Sequence, residues 1–465
     1  MLTLIFPIET IARELDARLV LASIYGQKHH RILLAHTPHA NRLAAKLSGG
    51  GLYVGKHIFA SGGDVPVAYY RAKENGFTVV HLAEEGAVFM GGPQDWSFDL
   101  DWQLVPSLLS KDDYVATWGD WQRKYYVEKG APCPKNVRTT GHPRFDIYKT
   151  GLKEIYRQET DGLKSRFGEF ILFNSNFGWA VNPLGVEDTF SRWQGYYPED
   201  EVARLRFVQR WARQNSVYPQ FVELIHRLAI QFPKINIIVR PHPSEDIFQM
   251  QAIFSGASNI HVIREGGVVP WILASSVMLN DGCTTAIEAF MMRKQVVNFT
   301  PVKDEHEAFL PNLLGIRARN QQEAIEAIHE AMNTHFLEKE LPKMAHQVFT
   351  NFSQDSMGMF LALLEEAENN TSRTNVGLTP DLLFEETKMM FVNHAKQLAR
   401  RLLFKKRYRS SQVMRVLFPG FDRNYIRTRL DSITKITDRP VRMRYYSPWL
   451  IELSPASQEP ARWLL

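Results

Sequence analysis

A rhythm of short apolar runs alternating with helical segments, played once and then restarted, constrains this chain more than any other feature. Leu2–Ile8 reads as an apolar strand, and Thr10–Tyr25 carries helical spacing through Ile11, Leu15, Leu19 and Ala22 before stopping at Gly26. Arg31–His36, His57–Ala60, Thr78–Leu82, Tyr114–Thr117 and Asn136–Thr140 follow as strands with helices between. Lys153–Arg166 reads as a charged connecting helix. The rhythm then begins again with strand Phe170–Phe173, a long helix over Asp200–Gln231, and strands Ile235–Arg240, Ile260–Arg264, Val277–Asn280 and Gln295–Phe299. Strands joined through helices run parallel, because the helix is the crossover that returns the chain to the same edge. The pattern predicts an α/β chain of two tandem Rossmann-like doubly wound domains, 1–155 and 156–345, with a helical, basic C-terminal extension over 346–465.

The 465 residues suffice for two domains and an appendage, and 45% hydrophobic with 23% charged residues excludes a disordered chain. Only Cys133 and Cys283 occur, which excludes a disulfide scaffold and a four-cysteine zinc site and fits a reducing compartment. No apolar run approaches a membrane span, and Met1–Glu9 has no basic leader, so the expected location is cytoplasmic.

The net charge of +5 invites a nucleic-acid reading, but its distribution argues otherwise. Lys396–Arg429 holds eleven Lys/Arg against one acid, Asp422, so the remainder of the chain is acidic. Within that stretch Leu398, Leu402, Leu403 and Phe404 form an apolar stripe among cations, a pattern suited to an anionic membrane surface at 396–429 or to a helix packed on its own protein. No nucleic-acid motif accompanies the charge, and nucleic acid is not an expected partner.

Chemistry is expected at the carboxyl ends of the strands, where open α/β sheets bind ligands. Arg240-Pro-His-Pro-Ser-Glu-Asp246 follows a strand directly, and two prolines stiffen the loop around Arg240 and His242, cation-capable groups suited to a phosphate. The structural alternative is a rigid turn with Ser244 capping the next helix. Asp281-Gly-Cys-Thr-Thr-Ala-Ile-Glu288 runs from a strand through a glycine turn into a helix, whose first amides with Thr284 and Thr285 can hold a phosphate while Glu288 meets a ribose. Thr285-x-x-Glu288 also spells a capping box. Cys283 reads as a small turn residue rather than a nucleophile, and the loop after Arg264 can offer backbone groups to a nucleobase. Asn176 lies in an Asn/Gly-rich turn that can touch a sugar.

In the first half, Glu84 and Glu85 end a strand as paired carboxylates, candidates for a base or nucleophile, with Glu9 at the same cleft edge. Gly141-His-Pro-Arg-Phe-Asp146 at the domain junction either places His142 and Arg144 in the cleft or fixes a turn. Arg13-Glu-Leu-Asp-x-Arg18 reads as charged helix surface. Ser48–Gly51 and Gly62-Gly63 match neither a Walker loop nor a dinucleotide fingerprint, and no metal-ligand spacing emerges, so no metal and no cofactor are expected.

Together, Pro7-x-Glu9…Arg13-Glu-Leu-Asp-x-Arg-Leu19, His81-Leu-x-Glu-Glu-Gly86, Gly141-His-Pro-Arg-Phe-Asp146, Arg240-Pro-His-Pro-Ser-Glu245 and Asp281-Gly-Cys-Thr-Thr-Ala-Ile-Glu-Ala289 resemble the bacterial surface carbohydrate biosynthesis protein family, over residues 1–345. That family is similar to GT-B glycosyltransferases and, more distantly, to Kdo transferases, teichoic-acid glycerophosphotransferases and non-hydrolysing UDP-N-acetylglucosamine 2-epimerases. The resemblance implies a metal-independent glycosyltransferase of capsule, O-antigen or lipopolysaccharide assembly. It would bind a nucleotide sugar in the second domain and a glycan or lipid-linked glycan acceptor in the first, peripheral at the inner membrane. It matches His242, Arg240, Thr284, Thr285 and Glu288 to the donor side and leaves CMP-, CDP- and UDP-linked donors open. A nucleotide-sugar 2-epimerase of the same fold and a non-catalytic membrane-bound assembly factor are the competing readings.

Overall fold

The computed structural model describes residues 2–28, 30–56, 67–305, 307–336, 338–371, 378–403 and 416–456. The strand expected at 57–60, Gly62-Gly63 and residues 404–415 of the basic extension lie outside the described residues.

Two sheets carry the fold. The first runs β13-β14-β2-β1-β3-β4-β5-β6, with β1 Thr3–Ile8, β2 Arg31–His36, β3 Gly51–Gly55, β4 Phe77–Leu82, β5 Tyr114–Thr117, β6 Val137–Thr139, β13 Val441–Ser447 and β14 Leu450–Pro455. The second runs β12-β11-β10-β7-β8-β9, with β7 Phe170–Asn174, β8 Asn236–Arg240, β9 Ile260–Val262, β10 Val277–Asn280, β11 Val296–Phe299 and β12 Ile316–Ala318. Strands β1–β12 pair in parallel, and β1, β4 and β7 are buried along their whole length. Such strands are covered on both faces, which is why they read as unbroken apolar runs instead of alternating ones.

In the second sheet the chain builds outward from β7 in one direction, then reverses at β10. That order is the dinucleotide-binding one, and the reversal opens a crevice at the carboxyl ends of β7 and β10. In the first sheet the reversal falls between β1 and β3. The close pairing of β3 with β1 depends on Gly51 (φ 145°), where a Cβ would stand 2.2 Å from the Thr3 carbonyl oxygen.

The C-terminal extension is helical only in part. Helices Ser356–Asn369, Pro380–Leu403 and Arg423–Thr437 are joined by the β13–β14 hairpin, whose second strand pairs antiparallel with β2, Ile451 opposite Leu34. The first sheet is therefore completed by residues 441–455. Nor do the described residues of the basic stretch 396–429 form one surface. Helix Arg423–Thr437 packs on helix Ile11–Tyr25, and Arg429, 3% exposed, pairs with Asp16 (3.2 Å) and Glu159 while its guanidinium lies over Tyr156. Acidic partners on both domains, Asp16 and Glu159, take up the charge of Arg429.

Candidate functional site

Groups beside the carboxyl ends of the two sheets come within reach of one another, Arg13 and Glu85 of the first domain acting on His242 of the second. On the second sheet the loops after β7 and β8 are tied together by Glu245, 1% exposed. Its carboxyl accepts from the Ser175 hydroxyl, the Phe177 amide and the His242 amide (2.7 Å). Burial pushes its pKa up to about 7 against those hydrogen bonds. The loops approach so closely that a Cβ at Gly178 would stand 2.2 Å from Ser244 Oγ. Ser244 does not cap the following helix Ile247–Ile253. Asp246 does, accepting from the Phe248 and Gln249 amides.

Ser244 instead engages His242. The ring Nδ1 lies 2.7 Å from the Ser244 hydroxyl and accepts the Ser244 amide at 3.2 Å, which places the proton of the neutral ring on Nε2. Nε2 has no partner among the described residues. Burial, then the cation of Arg13, pulls the His242 pKa down to about 4. The ring is neutral at physiological pH and presents an N–H donor.

Beside it, helix Thr284–Met291 begins at Cys283 with no side-chain cap, so the expected capping box does not form. Thr284 is its first, half-buried residue. Thr285 Oγ1, Glu288 Oε2 and Asp281 Oδ1 are buried without a hydrogen-bond partner among the described residues. Burial raises the Glu288 carboxyl, opposed by Arg144 and Arg13. Burial, with Glu245 next, pushes Asp281 up to about 7. Burial and Asp281 push the Cys283 thiol up to about 12, so it is no thiolate nucleophile.

Arg240 does not face this space. Its guanidinium, 8% exposed with the rest of the residue, donates to the Glu265 (2.7 Å) and Gly266 (3.0 Å) carbonyls and lies 4.8 Å over Trp271. Burial lowers its pKa to about 9. Arg240 thus holds the 265–267 loop in place rather than offering itself to a phosphate. Asn176 contributes its carbonyl to Gln214 (3.1 Å).

The first sheet separates its two expected carboxylates. Glu84 is 2% exposed and sealed in an ion cluster with Arg18 (2.7 Å), Arg144 (3.2 Å) and His142 Nε2 (3.2 Å). Burial opposes its charge, but His142, Arg18 and Arg144 hold the carboxyl well below its usual range. A side chain so enclosed cannot touch a substrate, and Glu84 is a structural anion instead of the expected base. His142 and Arg144 belong to the same cluster and not to the open cleft, although Arg144 Nε also reaches 3.8 Å from Glu288 Oε1 and so links the two domains. Glu85 remains available. Its side chain is 49% exposed and meets Arg13 at 2.8 Å; Arg13 and Lys56 overcome burial and hold its carboxyl below the usual range. Glu9 pairs with Lys56 and Arg13 at the same edge.

Arg13 is the residue that sequence reasoning passed over as helix surface. It lies where its charge acts on His242, Glu85 and Glu288 together. It also lines a cavity of about 290 Å³ bounded by Gly266 and Gly267 and walled by Tyr148, Tyr156 and Trp271. The Glu9/Arg13 spacing of one helical turn was the available signal. Its neighbours Glu14 and Arg18, also assigned to surface, are buried, Glu14 accepting the Glu9 amide (2.9 Å) at the helix start.

No family model and no curated protein matches the sequence. Among solved structures the chain is similar to a UDP-GlcNAc 2-epimerase from Methanocaldococcus jannaschii in complex with UDP-GlcNAc and UDP, at 11% identity and TM-score 0.46, covering 78% of this chain and 99% of that one. It is similar to UDP-GlcNAc 2-epimerase from Neisseria meningitidis bound to UDP-GlcNAc, at 13% identity and TM-score 0.46, with coverage of 78% and 99%. It is also similar to the wall teichoic acid polymerase TagF, at 8% identity and TM-score 0.42, with coverage of 79% and 89%. At such identities the ligands of those proteins do not transfer to this chain. Its own strand order and crossovers make it a GT-B-like pairing of two Rossmann-like domains.

Proposed function

We propose that this chain is a glycosyltransferase of bacterial surface polysaccharide assembly, moving a sugar from a nucleotide-activated donor to a glycan or lipid-linked glycan acceptor. One observation carries the reading: Thr285 Oγ1 and Glu288 Oε2 are buried and unpartnered at the start of a helix beside the His242 loop. Buried polar atoms are nearly always hydrogen-bonded, so a pair left over at a strand–turn–helix junction suits a ligand that supplies the missing partners. A nucleotide does so, with phosphate oxygens for the helix amides and Thr285, and ribose hydroxyls for Glu288.

The donor's phosphate would take the Nε2 proton donor of His242 and the charge of Arg13 as the bond to the sugar breaks and its electron pair passes to the phosphate oxygen. The acceptor hydroxyl would form the new bond to the anomeric carbon and give its proton to Glu85. When Arg13 turns toward the phosphate its hold on Glu85 loosens, which makes that carboxylate a better base at the moment it is needed. The nucleobase would occupy the cavity beside Gly266 and Gly267. Since Glu84 is committed to Arg18 and Arg144, one available carboxylate remains at that strand end, which suits a single deprotonation better than the two faces an epimerase must serve.

The test is thermal stabilisation by CMP, CDP, UDP and GDP side by side, in the wild type and in Glu288→Ala. A ligand that binds only the folded state at about 100 times its Kd adds about 2.7 kcal/mol. A melting shift with one nucleotide, lost in Glu288→Ala, is the expected result. No shift with any of the four would remove the reading.

A further inference from the structure

We infer that helix Pro380–Leu403 docks this protein on an anionic lipid bilayer through the face that bears Phe384, Phe391 and Val392. Phe384 and Phe391 are 70% and 73% exposed, among the most exposed large apolar groups of the described chain, and Val392 is 40% exposed. With Ala395 and Ala399, also exposed, they follow one another along one side of the helix over four turns. The opposite side is already used. Leu382 is buried, Glu385 pairs with Lys46 (2.6 Å), Met389 meets Arg42, and the helix packs against β13. The exposed face is therefore left over after the helix has packed on its own domain.

Charge selects the occupant. Lys388 and Lys396 are exposed beside the aromatic line, and from Thr387 to Leu403 the sequence holds four Lys/Arg and no Asp or Glu. The neighbouring edge strand β13 adds exposed Arg442 and Arg444. The acids of the helix, Asp381, Glu385 and Glu386, stand in its first two turns, and Glu385 is already paired with Lys46; beyond them, aromatic and apolar side chains accompanied by cations alone complement a surface that is apolar just beneath a layer of negative headgroups. The helix lies on that surface rather than across it, since no helix among the described residues is long and apolar enough to span a membrane. This surface overlaps the 396–429 stretch read from sequence only in its first turns, centres instead on Phe384–Val392, and stands independently of the glycosyltransferase reading.

The experiment is co-sedimentation of the full chain with phosphatidylcholine vesicles, with and without phosphatidylglycerol, at low and high salt. Binding should require phosphatidylglycerol and weaken with salt. Phe384→Ser/Phe391→Ser and Lys388→Glu/Lys396→Glu should each reduce the partition by roughly tenfold or more. Circular dichroism, the melting temperature and any nucleotide-induced shift should stay as in the wild type, because the four positions are exposed and remote from the site described above. Failure to sediment, equal binding to neutral vesicles, or wild-type binding by both variants would overturn the inference. So would a concentration-dependent dimer in solution that Phe391→Ser dissolves, which would assign the face to a second copy of the chain.

Discussion

Two loops of this protein share a local design and part company in their surroundings. Gly141–Asp146 follows β6 and Arg240–Asp246 follows β8, and in each a histidine stands before a proline. In each, the ring Nδ1 accepts the backbone amide two residues on, from Arg144 and from Ser244, both at 3.2 Å. Both rings are thereby set with the proton on Nε2, and in both burial pulls the pKa down to about 4. The difference lies beyond the loop. His142 Nε2 stands 3.2 Å from the buried Glu84 carboxylate, whereas His242 Nε2 opens toward Arg13 and the cleft. A short motif fixes the tautomer of the ring; the tertiary neighbours decide whether its other nitrogen is shut in beside a buried carboxylate or left without a protein neighbour of that kind.

The comparison breaks first, if it is wrong, at the carboxylates. Glu84→Gln strips the compensating charge from Arg18 and Arg144 and should cost about 3–5 kcal/mol in urea unfolding. Glu85→Gln should change stability by less than about 1 kcal/mol. It should lower sugar transfer by roughly 100-fold or more. Equal destabilisation by the two would erase the distinction between buried anion and cleft carboxylate.

The histidines sharpen it next. His242→Ala should reduce kcat/KM by about 10²–10³. Its unfolding free energy should stay near the wild-type value. His142→Ala should show the opposite profile, losing about 1–3 kcal/mol of stability with nucleotide affinity unchanged. A profile shared by both would mean that the two loops play one role.

The smallest effect is in pH. A histidine whose pKa falls from 6.5 to about 4 on folding contributes stability that is complete above the unfolded value and lost as pH falls through about 4. His142→Ala should therefore flatten the acid side of the stability curve between about pH 6.5 and 4. In the wild type, NMR titration should show the His242 ring moving up from about 4 when nucleotide is added, while His142 stays in place.

Much of the architecture was legible because parallel strands buried on both faces announce themselves. Tyr114–Thr117 and Val277–Asn280 form where the apolar runs stand, bounded by turn residues. The failures have physical causes. Strand β3 was hidden by Gly51, a residue that reads as loop but is needed where two backbones nearly touch. Strand β13 alternates Arg442 and Arg444 with Met443 and Tyr445, so its cations read as a basic tail; on an outer strand such cations discourage pairing with another chain. The strand ends that hold the site were equally legible, since crevices follow from strand order. What local sequence did not carry was the choice between neighbours: that Glu84 points inward and Glu85 outward, that Arg240 is spent on carbonyls, and that Arg13 reaches across from a helix assigned to solvent.

The β13–β14 hairpin gives the chain an awkward birth order. Strands β1 and β2 are made some four hundred residues before β14, yet Ile451 must lie beside Leu34. Until β14 has been made, the β2 edge offers unpaired backbone groups on a strand whose interior is apolar, the kind of edge that recruits foreign strands. Pairings between strands so far apart in sequence also form slowly, because the intervening loop must be closed before the contact rewards it. The first domain can settle only after the second has been made, and removing the last sixty or so residues would not trim an appendage but reopen the sheet on which the site is built.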